Sequence, residues 1–80
     1  MSKEKILITG ANGFIGSFLV KEALAKDLEV YAGVRKNSNT SSLKELDTKI
    51  LELNYESIDQ MAEVFKTYQF EYVIHNAGLT

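Results

Sequence analysis

Eighty residues, 45% of them apolar, suffice for one small folded domain and argue against disorder. A net charge of −2 with both signs mixed leaves no footprint for nucleic acid or an anionic membrane. The absence of cysteine excludes a disulfide framework and a thiolate metal site. The apolar run Ile6-Leu7-Ile8 is far too short for a signal peptide or a membrane span, so a cytoplasmic location is expected.

Lys5 to Thr9 reads as a fully buried strand, apolar and without alternation. It runs into Thr9-Gly10-Ala11-Asn12-Gly13-Phe14-Ile15-Gly16, where three glycines recur at three-residue spacing. Gly10 suits the tight turn out of the strand, Gly13 leaves room for a pyrophosphate at a helix start, and Gly16 lets the helix pack close to the sheet. The spacing is G-x-x-G-x-x-G rather than the general G-x-G-x-x-G fingerprint. A turn that only packs tightly, with no ligand, is the alternative. The helix from Phe14 to Lys26 places Ile15, Phe18, Leu19, Ala23 and Leu24 on roughly one face. Phe18 is expected to pack on the sheet and Phe14 to cover the loop.

Glu29 to Val34 is the second strand, and Gly33 within it suggests close approach by a backbone or a ligand. A polar loop, Arg35 to Ser41, follows. Ser42-Leu43-Lys44-Glu45 has the form of a capping box and predicts a short helix before a third strand, Ile50 to Leu53. Asn54-Tyr55-Glu56 turns the chain. Ser57 to Gln60 is a second capping-box pattern, with Ile58, Met61, Ala62, Phe65 and Tyr68 following at helical spacing. Glu71 to His75 is the fourth strand, and Asn76-Ala77-Gly78-Leu79-Thr80 opens another loop.

The alternation predicts an α/β, Rossmann-like, doubly wound parallel sheet, with four strands in the order 3-2-1-4 and three helices. Ligands of such sheets bind beyond the carboxyl ends of the strands, where the order reverses. That draws attention to the loops at Gly10–Gly16, Arg35–Asn39, Asn54-Tyr55 and Asn76–Thr80. No acid stands at the end of the second strand to hold a ribose 2′-OH. Arg35 and Lys36 stand there instead, and a guanidinium pairs well with a 2′-phosphate. His75 is a lone histidine at a strand end, more readily structural than catalytic, with no partner for a metal site.

Thr-Gly-Ala-Asn-Gly-Phe-Ile-Gly resembles the cofactor loop of short-chain dehydrogenase/reductases, and its Gly-Phe-Ile-Gly ending resembles the extended, epimerase/dehydratase-like branch. The resemblance covers only the first, cofactor-binding part of such an enzyme. It implies a Rossmann domain fragment over residues 1–80 that binds NADP, or else NAD. Gly10, Asn12, Gly13, Phe14, Ile15 and Gly16 would lie at the pyrophosphate, and Arg35 and Lys36 at a 2′-phosphate. Asn54 stands where the family usually has an aspartate near the adenine, with Tyr55 beside it. Val73 to Gly78 resembles the fourth-strand segment, so Asn76, Ala77 and Gly78 would lie along the nicotinamide ribose and pyrophosphate. The family moves a hydride on a carbonyl or sugar-nucleotide substrate with a Ser or Thr and a Tyr-x-x-x-Lys pair. Here Tyr31, Tyr55, Tyr68 and Tyr72 are followed four residues on by Arg35, Asp59, Tyr72 and Asn76, so no catalytic residue is assigned. The 80-residue chain alone is expected to be inactive. A free-standing nucleotide-binding or redox-sensing module is the alternative. The fourth strand carries neither charge nor proline along Tyr72-Val73-Ile74. It should form a bare edge, with apolar surface near Ile6, Ile8 and Ile74 partly uncovered, so that the isolated chain self-associates through the fourth-strand region, or else aggregates or is partly unfolded.

Overall fold

The computed structural model describes residues 3–36, 38–54 and 56–76. Its elements run β1 (Lys5–Thr9), α1 (Phe14–Ala25), β2 (Glu29–Arg35), a 3₁₀ turn (Ser41–Leu43), β3 (Lys49–Leu53), α2 (Ile58–Tyr68) and β4 (Tyr72–His75). All four strands are parallel, in the order β3-β2-β1-β4. The connection through α1 steps from β1 to β2 in one direction. The connection through α2 returns across the sheet to the far side of β1. With right-handed crossovers, that reversal puts the two helices on opposite faces.

The packing follows this arrangement. One face of the sheet presents Ile6, Ile8, Val30, Ala32 and Val34 to Val20 and Ala23 of α1 and to Leu43 of the 3₁₀ turn. The other presents Leu7, Tyr31 and Leu53 to Met61, Val64 and Tyr68 of α2, with Phe70 at its edge. α1 approaches the sheet along Gly16, Val20 and Ala23, its three buried positions. Phe18 and Ile15 therefore do not pack on the sheet as expected; they lie on the flank, 57% and 58% exposed. The small residues set the helix's orientation because they permit the shortest distance to the strands. α2 has no buried residue, and Ile58, Ala62 and Phe65 lie away from the sheet while Val64 faces it.

The capping chemistry explains where the helices begin and end. Ser57 caps α2, its hydroxyl accepting from the Gln60 N–H at 3.2 Å, while the Ser57 N–H turns back to the Asn54 carbonyl. α1 closes in a Schellman pattern: Leu28 N–H donates to the Ala23 carbonyl, and Asp27 N–H to that of Leu24, with Asp27 at φ 62°. The helix expected after Ser42 is only the 3₁₀ turn at Ser41–Leu43, so the described residues form two α-helices rather than the three expected. The Asn39 side chain accepts from the Ser41 N–H, and the turn starts with Thr40 rather than Ser42 as its N-cap, two residues early. β4 is an edge strand, with Tyr72, Val73 and Ile74 exposed on its two faces. Ile6 and Ile8, expected to be partly bare, are buried, because α1 spans them.

Candidate functional site

The turn between β1 and α1 is built from backbone. Gly10 sits at φ 64°, a left-handed conformation that only glycine enters without cost. Ala11 is fully buried and donates its N–H to the Gly33 carbonyl of β2 at 3.2 Å. Gly13 is the N-cap of α1 and supplies no side-chain cap; its carbonyl accepts from the Ser17 N–H at 2.9 Å. Among the described residues no carbonyl or side chain accepts from the N–H groups of Phe14, Ile15 and Gly16. They form the positive end of the helix dipole and favour an anion.

The glycines differ in what they require. A Cβ on Gly16 would overlap the Gly10 carbonyl oxygen and come within 2.7 Å of the Ala11 Cα, so helix and turn touch only because that Cβ is missing. On Gly33 a Cβ would strike the Leu53 and Leu7 side chains, which fill the gap foreseen for a backbone or a ligand. Gly13 is unlike both. A Cβ there would find its nearest neighbour, the Gly10 oxygen, at an ordinary 3.6 Å, and φ is −80°. Neither packing nor backbone conformation within the protein demands glycine at 13.

Across the reversal of strand order, β4 is pinned to β1. Thr9 Oγ1 and His75 Nδ1 share a hydrogen bond at 2.9 Å, and the Asn76 N–H donates to the same Thr9 oxygen at 2.9 Å. Asn76 Nδ2 donates to the Gly10 carbonyl at 3.3 Å. Thr9 and Asn76 are buried. The expected role of His75 as a structural residue accords with this staple. The part played by Thr9 was not legible, because its partners lie at the other end of the chain.

Beyond the ends of β2 and β3 opens a cleft of about 630 Å³, lined by Arg35, Lys36 and Asn54 together with Glu52, Leu53, Glu56 and Gln60. Arg35, Lys36 and Asn54 were foreseen; the other four are brought there by the end of β3 and the start of α2. Asn54 Oδ1 accepts from the Glu56 N–H at 3.1 Å, which fixes the orientation of its amide. Asn12, foreseen at the pyrophosphate, bridges to the next loop: its Nδ2 donates to the Asn39 carbonyl at 3.2 Å. Phe14, expected to cover the loop, stands out into solvent, 91% exposed. Tyr55, Ala77 and Gly78 lie outside the described residues.

The groups with displaced titration lie at the opposite, amino ends of the strands. Burial and the hydrogen bond to Glu29 push the Tyr31 hydroxyl up to about 12. The same bond, 2.6 Å long, holds Glu29 below the usual carboxylate range. The charge of Glu4 raises Tyr72. No group of three potential metal ligands occurs among the described residues.

The profile of the NAD dependent epimerase/dehydratase family matches residues 6–80. The chain belongs to this family. Within it, the chain is 39% identical over 85 aligned positions to a probable dTDP-glucose 4,6-dehydratase of Sinorhizobium fredii, covering 92% of this chain and 23% of that protein. A Thermus thermophilus UDP-glucose 4-epimerase solved with NAD superposes with a TM-score of 0.76 at 25% identity, over 91% of this chain and 24% of the epimerase. A leucoanthocyanidin reductase of Vitis vinifera solved with NADPH shares the fold, with a TM-score of 0.78 at 23% identity over 92% and 27% of the two chains. This epimerase/dehydratase-family chain thus spans about a quarter of the length of these relatives. Among its described residues no helix is long and apolar enough to cross a membrane.

Proposed function

We propose that residues 1–80 are the N-terminal part of a cytoplasmic, dinucleotide-binding Rossmann domain. The whole enzyme would move a hydride on a carbonyl or sugar-nucleotide substrate. One observation carries the reading: glycine at position 13, where neither packing nor φ calls for it, beside three N–H groups without an acceptor among the described residues. The space a Cβ would take is the approach to the helix start, and a pyrophosphate there would meet the N–H groups of Phe14, Ile15 and Gly16. When bound, the nicotinamide supplies the hydride chemistry. The chain's own residues hold and orient. Arg35, aided by Lys36, pairs with a 2′-phosphate, which favours NADP over NAD. Asn54 and Tyr55 border the adenine, and Asn76, Ala77 and Gly78 follow the ribose and pyrophosphate. None of the tyrosines has a lysine four residues on, so the chain by itself turns nothing over.

Calorimetric titration of the chain and of Gly13→Ala with NADPH tests this. The parent should bind, and the variant should lose at least about tenfold in affinity, or about 1.4 kcal/mol, while losing no more than about 1 kcal/mol of stability as an N-cap and remaining folded at the titration temperature. Equal binding by the two would remove the reason for glycine at 13 and the reading with it.

The same proposal includes self-association of the 80-residue chain through β4. Tyr72, Val73 and Ile74 are exposed along an edge free of charge, whereas the other edge, β3, carries Lys49 and Glu52. Sedimentation should show a dimer or larger species that Ile74→Lys disperses. A parent chain that stays monomeric at high concentration would contradict it.

A further inference from the structure

Asn12 lies between two segments far apart in sequence. Its side-chain Nδ2 donates to the Asn39 carbonyl at 3.2 Å, and its own carbonyl accepts from the Ser42 hydroxyl at 3.3 Å. Asn39 in turn accepts, through Oδ1, from the Ser41 N–H at 3.0 Å. Leu43, next along, is buried under the α1 layer, and Ser38 N–H donates to the Arg35 carbonyl at 3.1 Å. The segment is therefore anchored to the core at Leu43 and to the end of β2 at Arg35. Between these anchors its described side-chain links outside itself run to Asn12. Asn12 is also the residue between the left-handed Gly10 and Ala11 on one side and the N-cap Gly13 on the other. Any shift of the turn on binding an anion moves both of its bonding groups.

We propose that Asn12 is a positioning residue that couples the glycine turn to the Ser38–Leu43 segment, so that an anion docked at the start of α1 orders the segment leading away from Arg35 and Lys36. The proposal rests on the reading of the turn as a pyrophosphate site. In chemical terms, occupation of the turn fixes the Asn12 backbone. Its Nδ2 and carbonyl then hold the Asn39 carbonyl and the Ser42 hydroxyl in place. The cations of the neighbouring cleft thereby meet a ligand's second phosphate on a backbone already ordered by the first. A direct ligand contact by the Asn12 side chain, the role suggested by sequence, would instead leave the segment indifferent to the substitution before any ligand is added.

Residue-resolved amide hydrogen exchange on the whole chain separates these. Without ligand, Asn12→Ala and, independently, Ser42→Ala should each raise exchange at Leu43, and at Ser41 in the first case, by about fivefold, the factor expected for one neutral hydrogen bond. The amides of β1 and β2 should stay at parent rates. With saturating NADPH, the parent should gain protection at Phe14–Gly16 and also at Ser41 and Leu43. Asn12→Ala should gain it at Phe14–Gly16 alone. Parent-like exchange of the segment in both variants overturns the coupling, and so does equal ligand protection of the segment in parent and variant. Protection of Phe14–Gly16 without Ser41 and Leu43 in the parent overturns the coupling but leaves the pyrophosphate reading standing. No protection anywhere overturns both. Ser42→Ala leaves the turn's own residues intact, so a folding defect in Asn12→Ala does not block the ligand-free comparison.

Discussion

Gly16→Ala is expected to destabilise the fold although alanine is the better helix former. In a helix interior, alanine is favoured over glycine by about 1 kcal/mol. Against this, the new Cβ would overlap the Gly10 carbonyl oxygen and lie 2.7 Å from the Ala11 Cα and 2.9 Å from the Gly10 carbonyl carbon. All three are backbone atoms, so no side-chain rotation relieves the contact, and the start of α1 must slide off the turn. Overpacking against such atoms costs about 1–3 kcal/mol. The slide also loosens Val20 and Ala23, which are buried further along the same helix face. The net loss should be about 1–2 kcal/mol, or about 5–10 °C in melting temperature for a domain of this size. Far-UV circular dichroism during urea and thermal unfolding measures it. Gly13→Ala is the internal control. With φ −80° and 3.6 Å to its nearest neighbour it meets no clash, so it should lose only glycine's advantage over alanine as an N-cap, about 0.5–1 kcal/mol. A Gly16→Ala variant as stable as the parent would refute the tight contact between turn and helix.

Arg35→Asp in the intact enzyme should weaken NADP about tenfold or more relative to NAD, as a charge pair is replaced by repulsion; equal losses for both, measured by calorimetry, would make Arg35 an ordinary surface charge. Tyr31 is pushed up to about 12 when folded, against about 10 when unfolded, so its contribution to stability is full below pH 10 and is lost as pH rises toward 12. Urea midpoints at pH 9 and pH 11.5 should therefore fall further in the parent than in Tyr31→Phe, and identical falls would count against the Tyr31–Glu29 bond. Gln69, the C-cap of α2, sits at φ 53°, so Gln69→Gly should raise stability by about 1 kcal/mol; a loss on thermal melting would mean that the side chain supports the helix end.

The sheet and its strand order were legible because the residues that set them act locally. Ile6-Leu7-Ile8 needs cover on both faces, and each strand is followed by a connection long enough for a parallel return. Ser57 could be recognised as a cap because its partner, Gln60, is three residues away. The face of α1 was misread for a physical reason. Periodicity weights large apolar side chains such as Phe18, whereas closest approach to a sheet is decided by the smallest ones, here Gly16 and Ala23. The Ser42 pattern misled because a competing side chain, Asn39, captures the Ser41 N–H and begins the turn earlier. At the candidate site, the glycines and Arg35 stood out by residue type. The staple from Thr9 to His75 and Asn76, and the bridge from Asn12 to Asn39 and Ser42, join residues brought together only by the folded sheet.

The central claim is that the N–H groups at the start of α1, which have no acceptor among the described residues, receive the pyrophosphate of a dinucleotide. Titration of the ¹⁵N-labelled chain with NADPH, followed by amide chemical shifts, tests it most directly. The largest shifts should fall on Phe14, Ile15 and Gly16, with Asn76 moving through its bond to the Gly10 carbonyl and the amino ends of β1 and β4 unmoved. Saturation with no shift at Phe14–Gly16, or shifts confined to another face of the sheet, would contradict it.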